Sequence, residues 1–448
     1  MADLGELCVA ALAGAADGEE AEAYALESTR TEVRARGGEV DALTSASSRG
    51  LGVRVIAGGR MGYAWAADPT TPEAAALLET ARGAAGHATL DEANGLPAAA
   101  EAEDLPGLFR EALAAFEPDR KVALALDLER AAVSATPDVR RVEEVMYGDA
   151  VSRVALASTA GLAAEYRRTD CWSVASAIAE RDGDIQTGFS FQVAREPGEL
   201  DHQAVGREAA ERAARLLGAV KPATERLPVV LDPWAAAAFL GVLASGLSAE
   251  EVQKGRSLLA GLVGERVAAE AVTLVDDGRL PEGPASAPFD DEGVPTSRTR
   301  LIDRGVLRGF LHNTVTARRD DTASTGNASR PSYRGVPGVS TSNLLVAPGP
   351  EPPEALLASA GRAVYVQEVK GVHSGANPVS GEFSVGAAGL RVDGGALGEP
   401  LREMTIASTL PEVLRSVRAV GSDVRFLFGA GAVGTPTILV GEMTVAGR

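Results

Sequence analysis

The segment LPVVLDPWAAAAFLGVL, residues 227–243, begins as a short β-branched apolar run and passes through Asp232-Pro233 into an alanine-rich helix, with Asp232 as its N-cap. The continuation WAAAAFLGVLASGL (234–247) is apolar for 14 residues. That is short of the ~20 a bilayer needs, so it predicts a buried helix and no membrane span. Beyond it the chain breaks into short segments cut by Gly and Pro: VTLVDDGRLPEG, TRLIDRGVLRGFLHN, AVYVQEVKGV and TILVGEMTVAG. Their spacing predicts a β-rich C-terminal domain over 225–448 with long functional loops.

Upstream the pattern differs. TEVRARGGEVDAL reads as two strands joined by Gly-Gly, and GLGVRVIAGGRMGYAWA continues as β structure. Gly50-Leu51-Gly52 is followed by a β-type run instead of a helix, so the strand-turn-helix context of a dinucleotide site is missing. TPEAAALLETARGAAGHA (71–88) predicts a helix with Thr71 as N-cap and Pro72 in its first turn. These elements define an N-terminal domain over 1–95, followed by a Pro-, Ala- and acid-rich linker over 96–120. A middle domain over 121–224 reads as helix, antiparallel strands and the helix DHQAVGREAAERAARLLGAV (201–220), an α+β layer. The predicted class is therefore α+β: N-terminal and middle α/β-layer domains followed by a β-rich C-terminal domain.

The balance of 43 basic against 62 acidic residues, −19 overall, repels phosphate, so direct contact with nucleic acid or anionic lipid is not expected. LCVAALAGAA (7–16) has the length of an export signal's core. It follows Asp3 and Glu6 with no Lys or Arg, which favours an amphipathic first helix. Cys8 and Cys171 form no disulfide framework, as in a reducing compartment; a cytoplasmic location is expected.

Few motifs carry chemistry. Ser384 in GEFSVG has Glu382 where a nucleophile elbow requires glycine. There is no H-E-x-x-H, no C-x-x-C and no histidine pair at i, i+4. His87 and His202 fall at helix ends. His312 and His373 come from separate C-terminal segments. DDG (276–278) and DDEG (290–293) read as turns. The loop TARRDDTASTGNASR (316–330) is basic in an acidic protein, and its Arg318, Arg319, Ser324, Thr325, Asn327 and Arg330 are candidates for holding a peptide or partner. His373 and Asn377, in VHSGANPVSGEFSVGAAG (372–389), join that set.

Four ordered stretches, GERVAAEAVTLVDDGRLP, PFDDEGVPTSRTRLIDRGVLRGFLHNTVTAR, STGNASR and NPVSGEFSVGAAGL, resemble the TldD/PmbA family, metallopeptidase-related proteins also described as modulators of DNA gyrase. GLGVRVIAGGRMGYAWA is similar to that family's N-terminal domain. The resemblance implies paired subunits, one with a zinc-binding H-E-x-x-x-H helix and one, TldE/PmbA-like, without it. In this chain the corresponding positions read Phe239-Leu240-Gly241-Val242-Leu243-Ala244, with Phe239, Leu240 and Ala244 in place of the ligands and base. The implied function is the non-metal subunit of a heterodimeric zinc metallopeptidase acting on unfolded peptides or small proteins, as in peptide-antibiotic maturation. No cofactor is expected in this chain and zinc is expected in a TldD-like partner. The alternatives are a homodimeric, non-proteolytic scaffold and a regulator of gyrase through protein contact. For the glycines of 375–389 the same resemblance implies tight turns and no reaction centre.

Overall fold

The computed structural model describes residues 3–428 and 431–447. Six long strands dominate its first half: β1 (Glu20–Arg36), β2 (Glu39–Ala57), β3 (Arg60–Ala67), β4 (Val139–Ser158), β5 (Ala163–Arg181) and β6 (Asp184–Ala194). They form one antiparallel sheet in the order β3-β2-β1-β4-β5-β6. The N-terminal and middle segments thus contribute three strands each, and β1 meets β4 at the join. Gly37 and Gly38 both take positive φ (68° and 82°), the geometry that a two-residue hairpin between right-twisting strands requires.

Period-2 burial gives the sheet two different faces. Ala21, Ala23, Ala25, Leu51, Val53 and Val55 are buried on the face that carries the helices Leu4–Leu12 and Thr71–His87. Val145, Tyr147 and Ala175 meet the helices Pro118–Ser134 and His202–Arg215 further along. Tyr24, Val154 and Leu156 point the other way, onto Phe289 and Tyr333 of the C-terminal part. The layers are therefore helices, sheet, C-terminal domain, and the α+β class with a β-rich C-terminal region stands.

Two local readings shift. The cap of the Thr71–His87 helix is Thr70, which forms a capping box with Glu73, one residue earlier than the sequence suggested. At the helix of residues 202–215, Asp201 does the capping by accepting from the Ala204 amide at 2.8 Å. His202 is merely its neighbour.

The C-terminal part builds two more six-stranded sheets. One uses the strands Leu274–Asp277, Arg298–Asp303, Val306–Leu307, Asn343–Val346, Arg425–Phe428 and Ala432–Thr435. The other uses Glu225–Leu231, Ala363–Lys370, Glu382–Asp393, Ala396–Thr409, Val417–Val420 and Ile438–Ala446. In the latter, Ala396–Thr409 also pairs with Ile438–Ala446, so the sheet curls back on itself. The helix Pro233–Gly246 leaves the first of these strands and is buried between the two sheets. Among the described residues no helix is long and apolar enough to cross a membrane.

Candidate functional site

The Pro233–Gly246 helix starts where predicted. The Asp232 carboxylate accepts from the Trp234 amide at 2.9 Å, and Pro233, lacking an N–H, occupies the first turn. Asp232 is itself held by Arg212 at 2.8 Å and by the Tyr365 hydroxyl at 2.6 Å. The helix then divides by face. Phe239, Leu240 and Leu243 turn into the core, where Phe239 packs on Phe383 with ring centroids 4.7 Å apart. Ala237, Gly241, Ala244 and Ser245, at i, i+4, i+7 and i+8, line a cleft of about 480 Å3. Its other walls are Ser248, Glu250, Glu251, Leu311, the 339–341 segment, Leu427, Gly431 and Val433.

Of the three positions singled out for the missing zinc motif, only Ala244 faces this cleft. The residues that do face it do not suit zinc, which takes imidazole, thiolate or free carboxylate. Glu250 is paired with Lys254 and Glu251 with Arg256, the latter through two contacts of 2.8 and 2.7 Å. The remaining oxygens are hydroxyls. Among them, the Ser248 hydroxyl is buried with no hydrogen-bond partner among the described residues. No cluster of three or more His, Cys, Asp or Glu placed to hold a metal occurs among the described residues.

The 316–330 loop is mostly consumed internally. Arg318 donates to the carbonyls of Asn94 (3.1 Å) and Leu96 (2.8 Å), and Arg319 pairs with Asp91 and reaches Gln253, so both fasten the segment that follows the Thr71–His87 helix. Ser324 and Thr325 hydroxyls bond the His312 carbonyl, each at 3.1 Å, and Thr325 also accepts from the His312 amide at 2.8 Å. Asn327 receives the Thr325 hydroxyl at 2.7 Å and donates to Asp276 (2.6 Å) and to the Ser340 carbonyl (3.1 Å). Asn327 is thus the one loop candidate that touches the cleft's wall, through backbone. Burial raises the Asp276 carboxyl to about 6, against bonds from Ser342 and Asn327 that pull it down. His312 is buried too, which lowers its pKa.

Arg330 goes elsewhere. Its side chain is fully buried, pairs with Glu22, stacks over Tyr24 and donates from Nε to the Asp291 carbonyl at 3.1 Å. Beside it, Arg54 bridges Glu22 (2.9 Å) and Glu292 (3.0 Å). Glu292 also accepts from the Thr314 amide at 2.9 Å. Asp290 accepts from the amides of Glu292, Val294 and Ala328, and burial holds its pKa well above the usual carboxylate range. DDEG does make a turn, with Gly293 at φ 82°, but Asp290 and Glu292 are buried and Asp291 half-buried in an ionic seam between the first sheet and the C-terminal part.

The remaining candidates lie near residue 380. The Asn377 carboxamide oxygen accepts from the amides of Val379 and Ser380, and Gly381 takes φ 77°, so this glycine builds a turn. The backbone of His373 belongs to the short helix Val372–Gly375, and its side chain lies outside the described residues. Ser384 is an exposed position of a strand and makes no elbow.

A helix-covered antiparallel sheet, two C-terminal β-sheets and a largely buried helix whose outer face lines a cleft define a three-part architecture. Family models describe it segment by segment: PmbA/TldA metallopeptidase domain 1 over residues 21–102, central domain over 111–217 and C-terminal domain over 224–447. The chain belongs to the PmbA/TldD family. It is 27% identical over 440 residues to the metalloprotease PmbA of Escherichia coli O157:H7, covering 97% of this chain and 93% of that one. To a metalloprotease TldD homologue of Haemophilus influenzae it is 26% identical, covering 89% and 87%. A Thermotoga maritima structure described as a candidate modulator of a DNA gyrase superposes with a TM-score of 0.89 at 30% identity, covering 96% of each chain. TldE of Thermococcus kodakarensis shares the fold with a TM-score of 0.90 at 23% identity, covering 96% and 97%.

Proposed function

We propose that this chain is the non-metal, TldE/PmbA-like subunit of a heterodimeric zinc metallopeptidase that acts on unfolded peptides or small proteins, peptide-antibiotic maturation being one such task. The observation that carries the reading is the cleft-facing stripe of the Pro233–Gly246 helix, Ala237, Gly241, Ala244 and Ser245, with no group that could ligate zinc or accept a proton from water. A TldD-like partner would supply the zinc and with it the activated water. This chain's contribution is then a wall: small side chains leave room for an extended backbone, while the hydroxyls of Ser245, Ser248, Ser340 and Thr341 offer it hydrogen bonds. The −19 charge argues against a direct hold on DNA, and the two buried free thiols fit a cytoplasmic setting.

The test is elemental analysis and peptidase assay of the purified chain, alone and mixed with an H-E-x-x-x-H-bearing relative. The expected result is no stoichiometric zinc and no hydrolysis from the chain alone, with activity in the mixture. Zinc at one equivalent together with hydrolysis by the lone chain overturns the proposal.

A further inference from the structure

The first sheet ends at β6, which has β5 on one side and no strand on the other among the described residues. The strand Arg425–Phe428 ends one of the C-terminal sheets in the same way, pairing only with Ala432–Thr435. These two open edges approach each other, and a groove runs between them. Its wider part, about 710 Å3, is lined by residues 191–195 on one wall and 424–426 on the other. Its narrower part, about 480 Å3, is lined by 187–189, Leu427 and 367–370. Side chains of a strand alternate between faces, so a run of consecutive residues lining one space means that the backbone edge itself faces it. Residues 368–370 add a third such edge, because their strand, Ala363–Lys370, pairs with Glu225–Leu231 only as far as Val366. Trp234 stands where the two parts meet, nine-tenths buried, with no acceptor for its indole N–H among the described residues. Leu427 also lines the cleft beside the Pro233–Gly246 helix, so groove and cleft adjoin across one side chain.

We propose that this groove holds the distal part of an extended peptide that carries a lysine or arginine, its backbone pairing with the open edges of β6 and Arg425–Phe428. The inference rests on the reading of this chain as one wall of a peptidase cleft, and it gives the chain a grip of its own on substrate, away from the bond to be cut. An open row of N–H and C=O groups recruits an extended segment whatever its sequence, and the spaces beside the row sort its side chains. Charge selects which side chain the wide part takes. Of the groups lining it, Arg110 is paired with Glu199, Arg195 with Asp170 and Arg425 with Glu208. That leaves two carboxylates, the helix cap Asp201 and the exposed Glu282, without a basic partner among the described residues. A cationic side chain is the complement of that surplus, and an acidic one is repelled by it.

The experiment uses the full chain without any partner and a fluorescent peptide of alanine, serine and threonine that carries one lysine and one benzophenone side chain. Anisotropy gives its affinity, mass spectrometry after illumination gives the residues labelled, and thermal melts confirm that each variant is folded. Label is expected within 187–195 or 424–427. Methylating alternate backbone nitrogens of the peptide removes several main-chain donors at about 1 kcal/mol each, so binding is expected to weaken at least about tenfold. Exchanging the peptide's lysine for glutamate is expected to weaken it about threefold, the scale of an exposed ion pair. Glu282→Lys is expected to abolish that preference, a ratio that a general loss of folding does not produce. Absence of binding, label confined to other residues, an N-methylated peptide that binds as well as its parent, or a lysine preference that survives Glu282→Lys would each overturn the proposal. The zinc test reads hydrolysis instead: a lone chain that cut peptides would sink the subunit assignment and leave the labelling pattern standing.

Discussion

Two polar regions of this chain contrast sharply. The seam between the first sheet and the C-terminal part gathers Glu22, Arg54, Glu292, Arg330 and Asp290, all buried, with Asp291 half-buried beside them. The cleft beside the Pro233–Gly246 helix has alanine, glycine and hydroxyls along its floor, and its two rim carboxylates are neutralised by neighbouring cations. Ionisable groups join parts of the chain in the first region, and in the second they are few and already paired.

The sharpest way to break that contrast is Arg54→Ala. It leaves Glu22 and Glu292 facing each other without their shared guanidinium, and removing one partner of a buried ionic set costs about 3–5 kcal/mol. Chemical denaturation at neutral pH is expected to show the loss, and a variant within 1 kcal/mol of wild type would show the seam to be wet. Next comes Asp276, next to the cleft wall. Its folded pKa of about 6 stands above the 3.8 of an unperturbed aspartate, so the folded state holds the proton more tightly than the unfolded one. Its contribution is most favourable below 3.8 and is lost as pH rises through 6, a swing of about 3 kcal/mol. Measured against Asp276→Asn, the wild type should gain stability by that order between pH 7.5 and pH 4; parallel curves would refute the assignment.

Gly62→Ala tests close approach without charge. A Cβ there would sit 1.9 Å from the Ala81 carbonyl oxygen of the overlying helix, and forcing the layers apart costs about 1–3 kcal/mol. The smallest effect belongs to the cleft. A Cβ on Gly241 meets nothing within 4 Å, so Gly241→Ala should stabilise the helix by about 0.5–1 kcal/mol. A bulkier Gly241→Phe should leave folding near wild type while lowering hydrolysis by the mixture with a metal-bearing relative.

What the sequence disclosed follows the range of the interactions. Hairpins closed by Gly37-Gly38, the helix begun by Asp232-Pro233 and the turn at Gly381 are set by residues adjacent in the chain, and each can be read from a few letters. The apolar hexapeptide 239–244 was legible as well, although which of its residues face the cleft depends on how the helix is rolled between two sheets, and only Gly241 and Ala244 do. The seam was not legible. Arg54 meets Glu292 across 238 positions and Arg330 meets Glu22 across 308, so DDEG looked like a turn and nothing more. Arg318, Arg319 and Arg330 misled for the same reason: a basic loop in an acidic chain suggests a binding surface until its carboxylate and carbonyl partners, far off in sequence, come into view. The continuous first sheet was equally hidden, because the β1–β4 pairing joins segments separated by β2, β3, the helices Thr71–His87, Glu111–Ala114 and Pro118–Ser134, and an irregular stretch.

Asp232 has a wider consequence. It starts the cleft helix and at the same time receives Arg212 of the middle segment, whose guanidinium also donates to the Gln367 carbonyl at 2.8 Å. A fragment cut to begin at Glu225 would keep the Tyr365 hydroxyl and the Trp234 amide on Asp232 but would lose the Arg212 guanidinium that neutralises it. The start of the cleft helix is thus fixed in part by a side chain from the segment that precedes the C-terminal part.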